Sequence, residues 1–165
     1  MTVEFRALLE SLRESGVDFV IIGGIAATLH GSARITFDLD IVYERSAQNI
    51  ERVVAALTRF KPYLRGAPPG LPFKFDAETL KRGLNFTFTT SDGPIDLLGE
   101  VSGVGGYAVA RRHSQEAQLF GATYYFLDLD TLIISKKAAG RPKDLETIAE
   151  LEAIREERQS GPPTS

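Results

Sequence analysis

The chain of 165 residues contains no cysteine. That excludes a disulfide framework, a thiolate nucleophile and a zinc–thiolate site, and nothing in the composition points to an oxidising compartment. No apolar run approaches the ~20 residues that span a bilayer, so no membrane association is expected. The N-terminal stretch MTVEFRALLESLRES carries charges throughout and lacks the apolar core of a secretion signal, so a cytoplasmic protein is expected. A strong charge of either sign is also missing. The formal net charge of −3 argues against avid nonspecific nucleic-acid binding, while a local basic patch remains able to hold a structured RNA. With 43% apolar residues the chain can bury a core, and its length suits one domain, expected over residues 1–158 with a disordered tail at 159–165.

The most informative stretch runs from Val20 to Glu44, VIIGGIAATLHGSARITFDLDIVYE. Val20-Ile21-Ile22 is an apolar strand ending in Gly23-Gly24. A short helix from Ile25 to His30 stops at Gly31. After a linker holding Arg34, residues 37–43 alternate with the period of a strand. Phe37, Leu39, Ile41 and Tyr43 then share one face, and Asp38 and Asp40 the other. Like charges about 7 Å apart repel, which a divalent cation relieves; the competing explanation is an edge strand whose acids face water. Hard cations such as Mg2+ take carboxylate oxygens and leave positions open for phosphates. Gly23 and Gly24 let backbone approach a ligand, and the helix after them directs free N–H groups to the same place, although tight strand–helix packing is an equally physical reason for a glycine pair. Arg34 is placed either to pair with Asp38 or to hold a phosphate. His30 reads as a helix-end packing residue.

Elsewhere, Phe5, Leu8, Leu9 and Leu12 have amphipathic helical spacing, with Thr2 able to cap and Gly16 to stop the helix. Ser46 caps a second helix with Ile50, Val53, Val54 and Leu57 on one side, ended by Pro62. The segment 61–74 carries four prolines and two glycines, too many for a regular element, and reads as a lid or substrate-facing loop. Asp76 to Arg82 forms a turn or two of helix. Leu84, Phe86 and Phe88 alternate as a strand, a turn follows at 91–93, and Pro94 to Leu98 returns as a strand with Asp96 opposite Ile95 and Leu97. Asp96 is either a surface residue beside a turn or a group with a task. Gly99 to Gly106 reads as a mobile loop, His113 as exposed charge in a loop, and 118–127 as a hairpin about Gly121. A helix starts at Asp128 or Asp130 and buries Leu129, Leu132 and Ile133; Lys136 continues that stripe, either snorkelling or serving a site. A last helix from Pro142 to about Arg158 buries Leu145, Ile148 and Leu151.

Ile22-Gly23-Gly24, thirteen residues, then Asp38-Leu39-Asp40 resembles the signature of nucleotidyltransferases of the DNA polymerase beta type. The finer pattern, with Ala26, His30, Gly31, Arg34 and Thr36, and Lys136 ahead of Arg141-Pro142-Lys143-Asp144, is similar to the small prokaryotic branch that includes AbiEii-type toxins. Thr147 departs from it, since an acid is frequent there. The resemblance implies an α/β domain with a small mixed β-sheet, helices packed on one face and the acids on the open one. It implies metal-dependent transfer of a nucleotide from an NTP to an acceptor hydroxyl on RNA such as tRNA, or on protein. Asp38 and Asp40 would hold two Mg2+ ions, and Asp96 the third carboxylate position on a neighbouring strand. Lys136 is implied as a catalytic and nucleotide-binding residue, with Gly23, Gly24 and Arg34 on the phosphates. It further implies a cognate toxin or antitoxin partner. A non-catalytic, antitoxin-like nucleotide-binding module and a protein adenylyltransferase acting on a partner toxin are the alternatives.

Overall fold

The structure is a computed structural model and describes residues 5–161; the Thr2 cap and the end of the expected tail lie outside them. The first half contains α1 (Arg6–Glu14), β1 (Phe19–Ile22), α2 (Gly23–Leu29), β2 (Leu39–Tyr43), α3 (Ala47–Leu57), β3 (Tyr63–Leu64) and α4 (Ala77–Arg82). The second contains β4 (Asn85–Thr89), β5 (Ile95–Leu98), α5 (Tyr107–Arg112), β6 (Ser114–Leu119), β7 (Ala122–Leu127), α6 (Leu129–Ala139) and α7 (Leu145–Ser160). Helix starts follow from side-chain caps: Ser46, Asp76 and Asp128 accept from the backbone N–H of Asn49, Thr79 and Thr131.

The strands form one mixed sheet in the order β3-β4-β5-β2-β1-β7-β6. The central strand β2 pairs antiparallel with β1 and parallel with β5, and β1 pairs parallel with β7. By alternation, Leu39, Ile41, Tyr43, Ile95, Leu97 and Phe88 form the face opposite Asp40, and all are fully buried. They join the apolar stripes of α1 (Leu8, Leu9, Leu12) and α3 (Ile50, Val53, Leu57) in one core. This is the mixed α/β architecture expected from the sequence. On the acid-bearing face Val20 and Val42 are also buried, and α5 packs against β1, β2 and β7, so the open part of that face is the end that carries Asp40 and Asp96.

Several local expectations are corrected. Phe37 is 75% exposed and precedes β2, because pairing with β5 begins only at Leu39, opposite Ile95, and pairing with β1 only at Asp40, opposite Ile22. Leu84 lies outside β4 for the same reason. The proline-rich segment does contain a strand, the two-residue β3, which an edge position tolerates because only one side is paired. The glycine connection is closed by a bridge between Val101 and Gly105 and leads into helix α5, so His113 caps a helix. β6 starts at Ser114, earlier than expected. Leu145 is exposed, since a 3-10 turn over Pro142–Asp144 replaces the first turn of the expected helix and buries Asp144 instead. Helix α7 reaches Ser160, into the expected tail.

Candidate active site

Sheet register assembles the carboxylates. Ile22 lies opposite Asp40 on β1, Asp40 is level with Asp96 on β5, and Asp96 is level with Thr87 on β4. Asp38, one residue before β2, is on the same side. One oxygen from each of Asp38, Asp40 and Asp96 falls within 4.8 Å of the others. Asp40 is the most enclosed electrostatically: burial, a hydrogen bond with Asp96, and the charges of Asp96 and Asp38 push its carboxyl up to about 8, against a smaller opposing pull from Lys136. Its Oδ1 is buried with no hydrogen-bond partner among the described residues. Three hard oxygen donors around an unsatisfied carboxylate oxygen fit a cation such as Mg2+ better than they fit each other.

The glycine pair is demanded by this cluster directly. Gly23 has φ +64°, and a Cβ there would lie 2.0 Å from Asp40 Oδ2; a Cβ on Gly24 would lie 2.4 Å from Thr36 Oγ1. Thr36 in turn donates to the carbonyl of Asp38 at 3.2 Å. The spacing of the Gly-Gly and Asp-x-Asp pieces thus reflects one side chain seated on each glycine. Gly23→Ala is expected to cost about 1–3 kcal/mol from the backbone conformation alone, with further loss from displacing Asp40; urea unfolding measures it.

Opposite the acids stands the C-terminal end of α6. Lys136 Nζ lies 3.5 Å from Asp144 Oδ1, and Arg141 donates to Asp144 at 2.7 and 3.2 Å. Burial pushes the Asp144 carboxyl up, but the Arg141 hydrogen bonds and the nearby Lys136 charge outweigh it and hold the group below its ordinary range. Two adjoining cavities of about 280 and 770 Å3 share Asp40, Asp96, Lys136 and Arg141 in their walls. Lys136 therefore faces the carboxylates across open space. Arg34 lines the larger cavity but pairs with neither aspartate: it is bound to Glu146 at 2.6 Å. His30 is a packing residue: its Nε2–H donates to the carbonyl of Leu127 at 2.7 Å and its ring packs at a tilt on Phe126.

Two site residues escaped the sequence. Asp144 belonged to a noted motif but had no assigned task. Arg65 sat in a proline-rich segment with nothing to flag it. Its backbone N–H bonds Thr87 O at 3.0 Å, which continues the cross-sheet row and brings its guanidinium to Asp96 at 2.7 Å and Asp38 at 3.7 Å.

The fold is shared with solved structures of nucleotidyltransferases. The chain is similar to a Thermotoga maritima protein assigned as a nucleotidyltransferase, with 13% identity, 90% of each chain covered and a TM-score of 0.58. It is also similar to the lincosamide antibiotic adenylyltransferase LnuA in its lincomycin-bound form, with 16% identity, 93% of this chain and 98% of that one covered, and a TM-score of 0.63. No protein-family model and no curated protein sequence matches the chain. At these identities the likeness is one of fold.

Proposed function

We propose that this protein is a metal-dependent nucleotidyltransferase that moves a nucleotide from an NTP to an acceptor hydroxyl. The observation that carries the proposal is the unpartnered, buried Oδ1 of Asp40, flanked by two more carboxylates and facing Lys136 across one cleft. Asp38, Asp40 and Asp96 would hold Mg2+, most simply as two ions. When bound, these supply positive charge to the phosphoryl oxygens and polarise the acceptor hydroxyl. Asp96 takes the hydroxyl proton as the acceptor oxygen bonds to the α-phosphorus and the bond to pyrophosphate breaks. Lys136 and Arg34, with the backbone N–H groups at Gly23 and Gly24, bind the β- and γ-phosphates and orient the leaving group. Asp144 and Arg141 set the position of the Lys136 amine. Positioning and charge neutralisation supply most of the rate in such transfers.

RNA such as tRNA, or a partner protein within a toxin–antitoxin pair, is the acceptor that the sequence resemblance supports. A small hydroxylated molecule is the second reading, favoured by a cleft of about 770 Å3, within the ~300–1,000 Å3 usual for small-ligand sites, and by the lincomycin bound to LnuA. Incubation of the protein with each labelled NTP, Mg2+ and separate pools of RNA, protein and small hydroxylated compounds is expected to transfer label into one pool. Lys136→Ala is expected to remove most of that transfer. Lys137→Ala is expected to leave it, because Lys137 points to the surface and pairs with Glu152 at 2.6 Å. Absence of transfer, together with no rise in melting temperature with any NTP and Mg2+, overturns both the enzyme and the antitoxin-like nucleotide-binding module.

A further inference from the structure

Arg65 is the cation that the acid cluster already possesses. It stands at the end of the edge strand β3, where register with Thr87 turns its side chain toward Asp96, and that side chain is only 30% exposed. One terminal nitrogen donates to Asp96 Oδ1 at 2.7 Å and to the carbonyl of Phe88 at 2.8 Å; the other lies 3.7 Å from Asp38 Oδ2. The buried Nε has no partner among the described residues, so the side chain is placed by its charge partners more than by a complete hydrogen-bond set. Asp96 and Asp38 are the two acids that Arg65 engages; it makes no ion pair with Asp40.

A guanidinium and a divalent cation drawn to the same two carboxylates repel each other and share one pool of negative charge, so each weakens the hold of the other. We propose that Arg65 is the resident counter-ion of this cluster and competes with the divalent cation for Asp96 and Asp38, so that metal loading expels its side chain. This rests on the metal-binding part of the proposed function. Arg65 sets how tightly the cluster takes metal.

The test uses Mn2+ as the probe on the full chain. Calorimetric titration of Arg65→Gln is expected to give Mn2+ affinity about tenfold tighter than wild type, and Arg65→Lys affinity close to wild type, because a cation within ~6 Å of a carboxylate shifts its ion affinity by that order. Unchanged or weaker Mn2+ binding by Arg65→Gln overturns the proposal and makes Arg65 a structural brace. A second measurement needs no variant. Trypsin cleaves after Arg65 only when its side chain is free, so Mn2+ is expected to accelerate cleavage at Arg65–Gly66 relative to cleavage after Arg82, whose side chain is exposed throughout. Slower or unchanged relative cleavage overturns the proposal. Equal Mn2+ binding by wild type and Arg65→Gln that is lost in Asp40→Asn defeats this inference while leaving the metal site standing; no Mn2+ binding by any form defeats both.

Discussion

Asp40→Asn is expected to abolish nucleotide transfer and, in EDTA at pH 8, to make the protein more stable, by about 1–2 kcal/mol. The cause lies in the metal-free cluster. Folding encloses the Asp40 carboxyl beside Asp96 and Asp38 and lifts it from its ordinary value of 3.8 to about 8. Between those values the folded protein keeps a proton that the unfolded chain has released. The unfolded state then binds fewer protons, so wild-type stability falls as pH rises through this window. Asparagine carries no such proton, so the mutant is expected to match wild type near pH 4 and to exceed it increasingly toward pH 8. Urea unfolding at both pH values, with transfer measured separately in Mg2+, gives the two halves of the result. A structural aspartate would behave in reverse, losing stability on replacement. Its nearest candidate partner in sequence, Arg34, is held by Glu146 instead. A destabilised Asp40→Asn that still transferred nucleotide would remove the basis for the metal site.

The second large effect is expected at Asp144, and with the opposite sign. Its side chain is 4% exposed and is shared by Lys136, itself only 12% exposed, and Arg141. Asp144→Ala strands a largely buried ammonium, and breaking such an arrangement costs about 3–5 kcal/mol. Because the native carboxyl is held below its ordinary value of 3.8, its contribution is complete above that value and is lost as pH falls below it. The stability gap between wild type and mutant, measured by urea unfolding, is therefore expected to be large at pH 7 and to shrink toward pH 3. Transfer should fall alongside, because the freed Lys136 amine no longer faces the acids in one orientation. A mutant of native stability with lost transfer would mean that Asp144 touches the substrate itself and does not hold Lys136.

Opposite signs at two enclosed aspartates express two uses of the same side chain. Asp144 is matched by cations within the protein and contributes to the fold. Asp40 is enclosed with like charges and is completed from outside. Neither the identity of the residue nor its burial separates the two cases; the neighbours do.

Local periodicity and spacing in the chain were sufficient for much of this. The strand ending at Gly23-Gly24, the Asp-x-Asp strand, the cap at Ser46, the hairpin about Gly121 and the return strand carrying Asp96 all depend on interactions within a few residues, which sequence records directly. The prolines and glycines of 61–74 obscured β3, because edge pairing with β4 outweighs local preference there. The Leu145 position was misjudged because a 3-10 turn over Pro142–Asp144 replaces the first turn of the expected helix and turns Asp144 inward, while Leu151 is buried as expected. What the tertiary structure alone decided is the company each charge keeps. Arg65 reaches Asp96, 31 residues further along the chain, because the pairings of Arg65 with Thr87 and of Thr87 with Asp96 fall in one cross-sheet row. Asp144 meets Lys136 because α6 and the following turn fold back on each other. Charge–charge energies depend on separation and burial in space, and these are set by strand register and helix packing, which no short stretch of sequence contains.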